Sequence, residues 1–245
     1  MIWLIGGTQE ANLLAHRLEG NIEFILTLAT EGGLQFTNVS NVEVGRLNEV
    51  EMVEFIKDRD IKGVVDCSHP YAKIVTSLAK SAAKKSNIPY YRYIRPSNHH
   101  AKDGIFVKDI SECIETLKNI TGTVFFTTGS KNIKDFEPLR GKNRFIYRIL
   151  PTSESFLLAE KAGVKMKDLI GALGPFDEEY NAYLFRKYKV DFCVTKESGA
   201  GSGVDEKIVA CEKENVTPIV ILREAEEGIR DIVTLEKLLV EKYGK

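Results

Sequence analysis

The sequence predicts an α/β protein of two Rossmann-like lobes, each built on a parallel sheet, with a ligand cleft between them. Three observations lead there. Short apolar runs alternate with longer amphipathic stretches along most of the chain, the pattern of βαβ units with helices on both faces of a sheet. A Gly-Gly pair follows the first apolar run directly, where a strand would turn into a helix. A polar, proline-containing stretch at 95–103 (RPSNHHAKD) breaks the alternation, which then resumes. Lobe 1–98 is expected to bind a dinucleotide, and lobe 99–245 to form the substrate side.

The elements follow in order. Residues 2–5 form a compact apolar strand. Residues 10–18 place Ala11, Leu14, Ala15 and Leu18 at helical spacing. Strands are expected at 23–28 and at 39–44, where Val39, Val42 and Val44 are the apolar members. A helix at 49–58 carries Val50, Val53, Phe55 and Ile56, and a strand at 63–67 (GVVDC) runs into a Ser-His-Pro turn. Residues 74–83 read as a helix and 90–94 (YYRYI) as a strand. Beyond the break, strands are expected at 123–127, 145–149, 169–173, 192–195 and 218–222. Helices are expected at 153–162 with Ser153 as N-cap, at 178–187, at 205–214, and at 235–242 with Thr234 as N-cap.

Composition narrows the class. The chain has 245 residues, 43% hydrophobic and 28% charged, which suits a globular core. With 34 Lys and Arg against 35 Asp and Glu, no basic excess points to nucleic acid. No apolar run approaches the roughly 18 residues that cross a bilayer, and MIWLIGGTQEA has neither the basic start nor the cleavage site of a signal peptide. Four cysteines lack CxxC or zinc-ligand spacing, so no metal site is expected and reduced thiols in the cytoplasm are. Neither a nucleic-acid nor a membrane partner is expected; protein partners stay open.

Several turns carry chemistry. Gly6, Gly7, Thr8, Glu10 and Ala11 follow the first strand. Glycines there let backbone N–H groups approach a phosphate at a helix N-terminus, and Ala11 stands where a small packing residue belongs. Thr30 and Glu31 follow the second strand, with Glu31 24 positions after Gly7, the place from which a carboxylate accepts from ribose hydroxyls. Such a carboxylate repels a 2′-phosphate and favours NADH, with NADPH possible. Asp66 to Ala72 (DCSHPYA) ends another strand, where open α/β sheets bind ligands; Ser68 joins the cofactor residues. Cys67 and His69 lack an orienting third group, which argues against a thiolate nucleophile. In the second lobe, TTGSK at 127–131, GPF at 174–176 and TKESG at 195–199, with Gly201 and Gly203, form a rim suited to an anionic ligand. Tyr183 and Lys187 fit the Tyr-x-x-x-Lys pattern of short-chain dehydrogenases, but 168–176 (DLIGALGPF) supplies no serine, so both read as ordinary helix residues.

Taken together, LIGGTQEA at 4–11, GRL at 45–47, DCSHPYA at 66–72, YRYIRP at 91–96, FTTGSKN at 126–132, RILP at 148–151, GALGPF at 171–176, TKESGAGSG at 195–203 and EKI at 206–208 resemble the precorrin-6A reductases of cobalamin biosynthesis, cobalt-precorrin-6A reductases included. The resemblance spans nearly the whole chain. It implies reduction of one carbon–carbon double bond of a tetrapyrrole macrocycle by a nicotinamide hydride. Glu31, Gly32 and Gly33 depart from the basic residue some members carry after the second strand, which points to NADH and the cobalt-containing branch. The expected proton donors are His69, Tyr71 and Lys196. The macrocycle's carboxylates are expected to meet Arg46, Arg92, Arg95, Lys131 and Arg148, with Ser130, Ser198 and Gly199 beside them. Two rival readings are another NAD-dependent dehydrogenase and a non-catalytic dinucleotide- or corrinoid-binding protein.

Overall fold

Ile2–Ile5 (β1) is buried along its whole length because both faces of its sheet are covered. Ile2 and Leu4 face one apolar cluster, Trp3 and Ile5 another. The chain continues through Gln9–Leu18 (α1), Phe24–Leu28 (β2), Val42–Val44 (β3), Glu49–Asp58 (α2), Val64–Asp66 (β4), Lys73–Lys85 (α3) and Tyr90–Arg92 (β5). These strands form a parallel five-stranded sheet in the order β3-β2-β1-β4-β5. Local chemistry fixes the helix starts. Thr8 caps α1, and Asn48 with Glu51 closes a reciprocal capping box on α2, a feature worth about 1 kcal/mol.

The computed structural model describes residues 1–96, 104–199 and 203–245. Its second unit runs through Ile105–Val107 (β6), Ile110–Lys118 (α4), Thr123–Phe126 (β7), Ile133–Phe136 (α5), Arg144–Ile149 (β8), Ser153–Lys161 (α6), Leu169–Gly171 (β9), Glu178–Tyr188 (α7), Phe192–Lys196 (β10), Val204–Glu214 (α8) and Thr217–Ile221 (β11). Its sheet is parallel and six-stranded, in the order β6-β11-β10-β7-β8-β9. Phe126, Phe145 and Tyr147 pack on one face, and Phe125, Ile146 and Phe185 on the other.

The two compact units are Met1–Pro96 with Ala225–Lys245, and Ser97–Glu224. The expected second lobe of 99–245 is therefore too long at its end. Its last segment belongs to the first unit, because Ile232–Tyr243 (α9) buries Leu235 and Leu239 in the cluster formed by β1, α1 and β2. Arg17 on α1 also donates to Glu236 on α9 at 2.6 Å. Most of the expected linker, 97–103, lies outside the described residues, as does 200–202, which includes Gly201.

Two expected caps shift outward. Thr152, not Ser153, caps α6, and its hydroxyl accepts from the Ser155 N–H. Asp231, not Thr234, caps α9, and Thr234 instead donates to its carboxylate. The strand expected from 39 begins only at Val42. β6, α4 and the short α5 carry no counterpart among the expected elements.

Candidate functional site

In the first sheet, chain order reverses between β1 and β4, so the loops leaving these adjacent parallel strands lie side by side at the carboxyl edge, the place where open α/β sheets bind ligands. The loop after β1 is Gly6-Gly7-Thr8. A Cβ on Gly6 would lie 2.7 Å from Leu26 Cδ1 and 3.2 Å from the Thr27 carbonyl oxygen, so a side chain there would force the Leu26 side chain to shift. Gly7 sits at φ +95, and no atom lies within 4 Å of where its Cβ would be. The backbone there is thus left-handed and faces open space, at the start of α1. The Thr8 hydroxyl accepts from the Ala11 N–H at 3.1 Å and donates to the Cys67 carbonyl at 2.8 Å. One side chain therefore caps the helix and ties the β1 loop to the β4 loop. Ala11 is buried against the sheet.

The β4 loop is held from beneath by Asp66, which is fully buried. Asp66 accepts from the Ser68 N–H at 2.9 Å and the Tyr90 hydroxyl at 2.7 Å, and lies 3.1 Å from Arg92. Arg92 also donates to the Ser68 carbonyl at 2.9 Å and to Glu226 at 2.8 Å. Burial opposes the Arg92 charge, but the Asp66 and Glu226 carboxylates outweigh it and raise its pKa. Burial and the Asp66 charge push the Tyr90 phenol up.

This network corrects two expectations. Arg92 is not a surface grip for substrate carboxylates, because internal oxygens occupy it. Ser68, also buried, is part of the same support for the loop. Arg95 and Glu10, expected to meet different ligands, meet each other: an Arg95 nitrogen donates to Glu10 at 2.6 Å, with both side chains largely buried.

His69 is exposed and Tyr71 partly buried. The Tyr71 N–H donates to His69 Nδ1 at 3.2 Å, which leaves the proton of a neutral imidazole on Nε2. Cys67 is buried and its thiol is pushed far up by that burial, consistent with an inert side chain. Thr30 and Glu31 are exposed at the carboxyl end of β2, where Glu31 opens a short 3₁₀ turn, Glu31–Phe36. Arg46, expected at substrate, stands just beyond β3 at this same edge, where the Gly45 N–H donates to the Leu28 carbonyl at 2.9 Å.

In the second sheet the order reverses between β7 and β10. The loops after these strands hold the remaining expected residues. Lys196, the last residue of β10, donates to Asn132 Oδ1 at 2.9 Å and so joins the 127–132 and 195–199 segments. Burial, with the Lys131 charge, holds the Lys196 ammonium below the usual lysine range. Lys131 is exposed. Ser130 donates to Ser155 at 3.3 Å, and Ser198 to the Lys196 carbonyl at 3.3 Å. Gly199 is buried at φ +81. Thr128 and Thr195 present buried hydroxyls with no hydrogen-bond partner among the described residues. Arg148 is buried and donates to Asn181 at 2.9 Å. Tyr183 is exposed on α7 with Lys187 Nζ 5.6 Å from its ring centre, as ordinary helix residues. The sequence pattern placed Asp66 at the start of the DCSHPYA loop without its supporting role, for which a lone Asp ending the apolar run GVVD was the available signal, and it missed Glu226.

A family model described as precorrin-6x reductase CbiJ/CobK matches residues 1–240. Among curated relatives, a cobalt-precorrin-6A reductase of Priestia megaterium is 33% identical, covering 91% of this chain and 90% of its own. One from Methanocaldococcus jannaschii is 32% identical, covering 90% and 89%. A precorrin-6A reductase of Mycobacterium tuberculosis is 26% identical, covering 91% and 88%. The solved structure of CobK precorrin-6A reductase shares the fold, with a TM-score of 0.80 at 20% identity over 98% of this chain and 96% of that one. The turn at Gly6-Gly7-Thr8, the two parallel sheets and a family match along nearly the full length agree: the chain belongs to the precorrin-6x reductase family CbiJ/CobK.

Proposed function

We propose that the protein reduces one double bond of cobalt-precorrin-6A to give cobalt-precorrin-6B in cobalamin biosynthesis, with NADH as the favoured hydride donor. The observation that carries this reading is the β1–Gly6-Gly7-Thr8–α1 turn at the reversal point of the first sheet, open above Gly7. That opening suits a pyrophosphate. A backbone without a side chain permits close approach, and the first turn of α1 directs N–H groups and a positive dipole toward it. Gly6, Gly7 and Thr8 would hold the dinucleotide phosphates and Glu31 the adenosine ribose; the bound nicotinamide would supply a hydride. Glu10 acts one step back, through Arg95. The family match and the relatives named for the cobalt substrate support the macrocycle assignment.

The chain's own residues have modest tasks. Asp66, Tyr90 and Arg92 fix the 67–71 loop. Lys196 holds a proton at Nζ that burial makes easier to release than that of an ordinary lysine, with Asn132 orienting the amine. It is the favoured proton donor for the carbon next to the one reduced. Lys131, Ser130 and Ser198 lie beside it to meet carboxylates. Four free, buried cysteines fit a reducing, cytoplasmic setting. Among the described residues no helix is long and apolar enough to cross a membrane.

The test is anaerobic incubation of the protein with cobalt-precorrin-6A and either NADH or NADPH, following the visible bands of the macrocycle and the loss of nicotinamide absorbance. Reduction with NADH at the higher kcat/KM is expected. Nicotinamide oxidation without a change in the macrocycle spectrum would favour another dehydrogenase, and binding without turnover a carrier.

A further inference from the structure

Glu10 puts a carboxylate in the first turn of α1, the helix whose N-terminus is assigned to the dinucleotide phosphates. It stands three residues beyond Gly7, roughly 4.5 Å along the helix axis from the open turn. A first-turn carboxylate is drawn to the positive end of its own helix. There it takes up the field that a bound phosphate would use, and it repels the phosphate directly. A bare Glu10 would therefore compete with the ligand from inside the phosphate site.

Arg95 answers that charge. Its Nε lies 2.5 Å from one Glu10 oxygen and its Nη2 donates to the other at 2.6 Å, a fork that engages both. The two side chains are only 10% and 17% exposed, so salt and water screen the pair weakly. Among the described residues, Arg95 is the one cation within ion-pair distance of Glu10. The backbone that carries Arg95 is itself anchored. Tyr93 pairs in parallel with Ile229, and the Ile94 N–H donates to the Ile229 carbonyl at 2.8 Å. A Cβ on Gly228 would lie 2.5 Å from the Arg92 carbonyl oxygen, so the two segments pass backbone against backbone. The guanidinium is thus presented to Glu10 from a fixed base, with little freedom left to lose when the fork forms.

We infer that Arg95 is a positioning residue for the dinucleotide: it holds and neutralises the Glu10 carboxylate, and so frees the first turn of α1 to bind phosphates. The inference rests on the dinucleotide reading proposed above. It adds the residue that makes an acidic turn compatible with an anionic ligand, and gives Arg95 a task that needs no contact with that ligand.

The experiment compares wild type with Arg95→Met, Glu10→Gln and the double variant Glu10→Gln/Arg95→Met, each checked for fold by circular dichroism. The Kd for NADH is read by fluorescence and that for ADP-ribose by calorimetry; ADP-ribose keeps the pyrophosphate and lacks the nicotinamide. Arg95→Met leaves a bare carboxylate beside the phosphates and should raise both Kd values at least about tenfold. Glu10→Gln leaves a cation there instead and should tighten both. The double variant has lost both charges and should return to within about threefold of wild type. If Arg95 gripped the phosphates itself, or if the ion pair only held α1 in place, the double variant would bind as weakly as Arg95→Met. That result overturns the inference. So does a Glu10→Gln protein that binds more weakly than wild type, or an Arg95→Met defect seen with NADH and not with ADP-ribose. Should Arg95→Met fail to fold, Glu10→Gln and the double variant still decide, because neither strands a carboxylate. A wild type that binds neither NADH nor ADP-ribose refutes the dinucleotide reading, and the inference with it. A wild type that binds both, with the wrong order among the variants, refutes the inference alone.

Discussion

Gly7→Ala separates backbone strain from ligand exclusion when it is paired with Gly20→Ala. Both glycines lie at positive φ, +95 and +81, and neither would meet an atom within 4 Å of an added Cβ. The strain is thus similar, about 1–2 kcal/mol for a left-handed alanine. At about 2–4 °C per kcal/mol for a chain of this size, both variants should lose roughly 2–8 °C in Tm. The two sites differ in place: Gly7 precedes α1 at the carboxyl edge of the sheet, and Gly20 follows α1 at the far end. A methyl on Gly7 enters the space assigned to pyrophosphate. A misplaced methyl costs about 1–3 kcal/mol, or about 5- to 150-fold in Kd. Gly20→Ala should leave the affinity unchanged. Fluorescence titration with NADH, on proteins checked for fold by circular dichroism, measures this. If Gly7→Ala binds NADH as tightly as Gly20→Ala, the phosphate does not sit at this turn.

Four further outcomes are expected. Wild type should favour NADH over NADPH by about 10- to 100-fold in kcat/KM, equivalent to about 1.4–2.8 kcal/mol, and Glu31→Arg should move the ratio toward NADPH; no movement would show that Glu31 does not read the ribose. Asp66→Ala should cost about 3–5 kcal/mol in denaturant unfolding, since it strands part of a buried ion pair; a loss below about 1 kcal/mol, as for a surface pair, would count against the network. Lys207 binds fewer protons folded than unfolded between about 8 and 10.5, so the stability of wild type should rise with pH across that window, and the rise should vanish in Lys207→Met. Lys196→Met should lower kcat and remove an alkaline fall in rate as pH passes through the depressed Lys196 pKa; an unchanged pH–rate profile would exclude it as proton donor.

Strand and helix type were legible wherever a segment was long and apolar on one side, as in Glu49–Asp58. The residues of β6 were not, because three positions, one exposed, carry too little periodicity. Cap positions slipped where two hydroxyls stood together, as at Thr152 and Ser153. The position of the glycine turn was readable because a strand-to-helix turn is local in sequence. Arg92 and Arg95 were not, because burial and the partner decide what an arginine does, and Glu226 lies 134 positions from Arg92. The same holds for α9: Leu235 and Leu239 mark an apolar face, but the pattern does not say against which unit it packs.

The return of the chain at Ala225 sets an order of events during synthesis. The second unit is contiguous, so its strands and helices are all available once residue 224 has left the ribosome. The first unit begins the chain yet is completed by its last residues. Leu235, Leu239 and Glu226 must arrive before the cluster over β1 closes and Arg92 gains its second carboxylate. Although domains in general mature from the N-terminus, here the Gly6-Gly7-Thr8 turn belongs to the unit that is completed after the other. A nascent chain stalled near residue 224 carries a complete second unit and a first unit with an uncovered apolar face, the species most exposed to aggregation or chaperone capture.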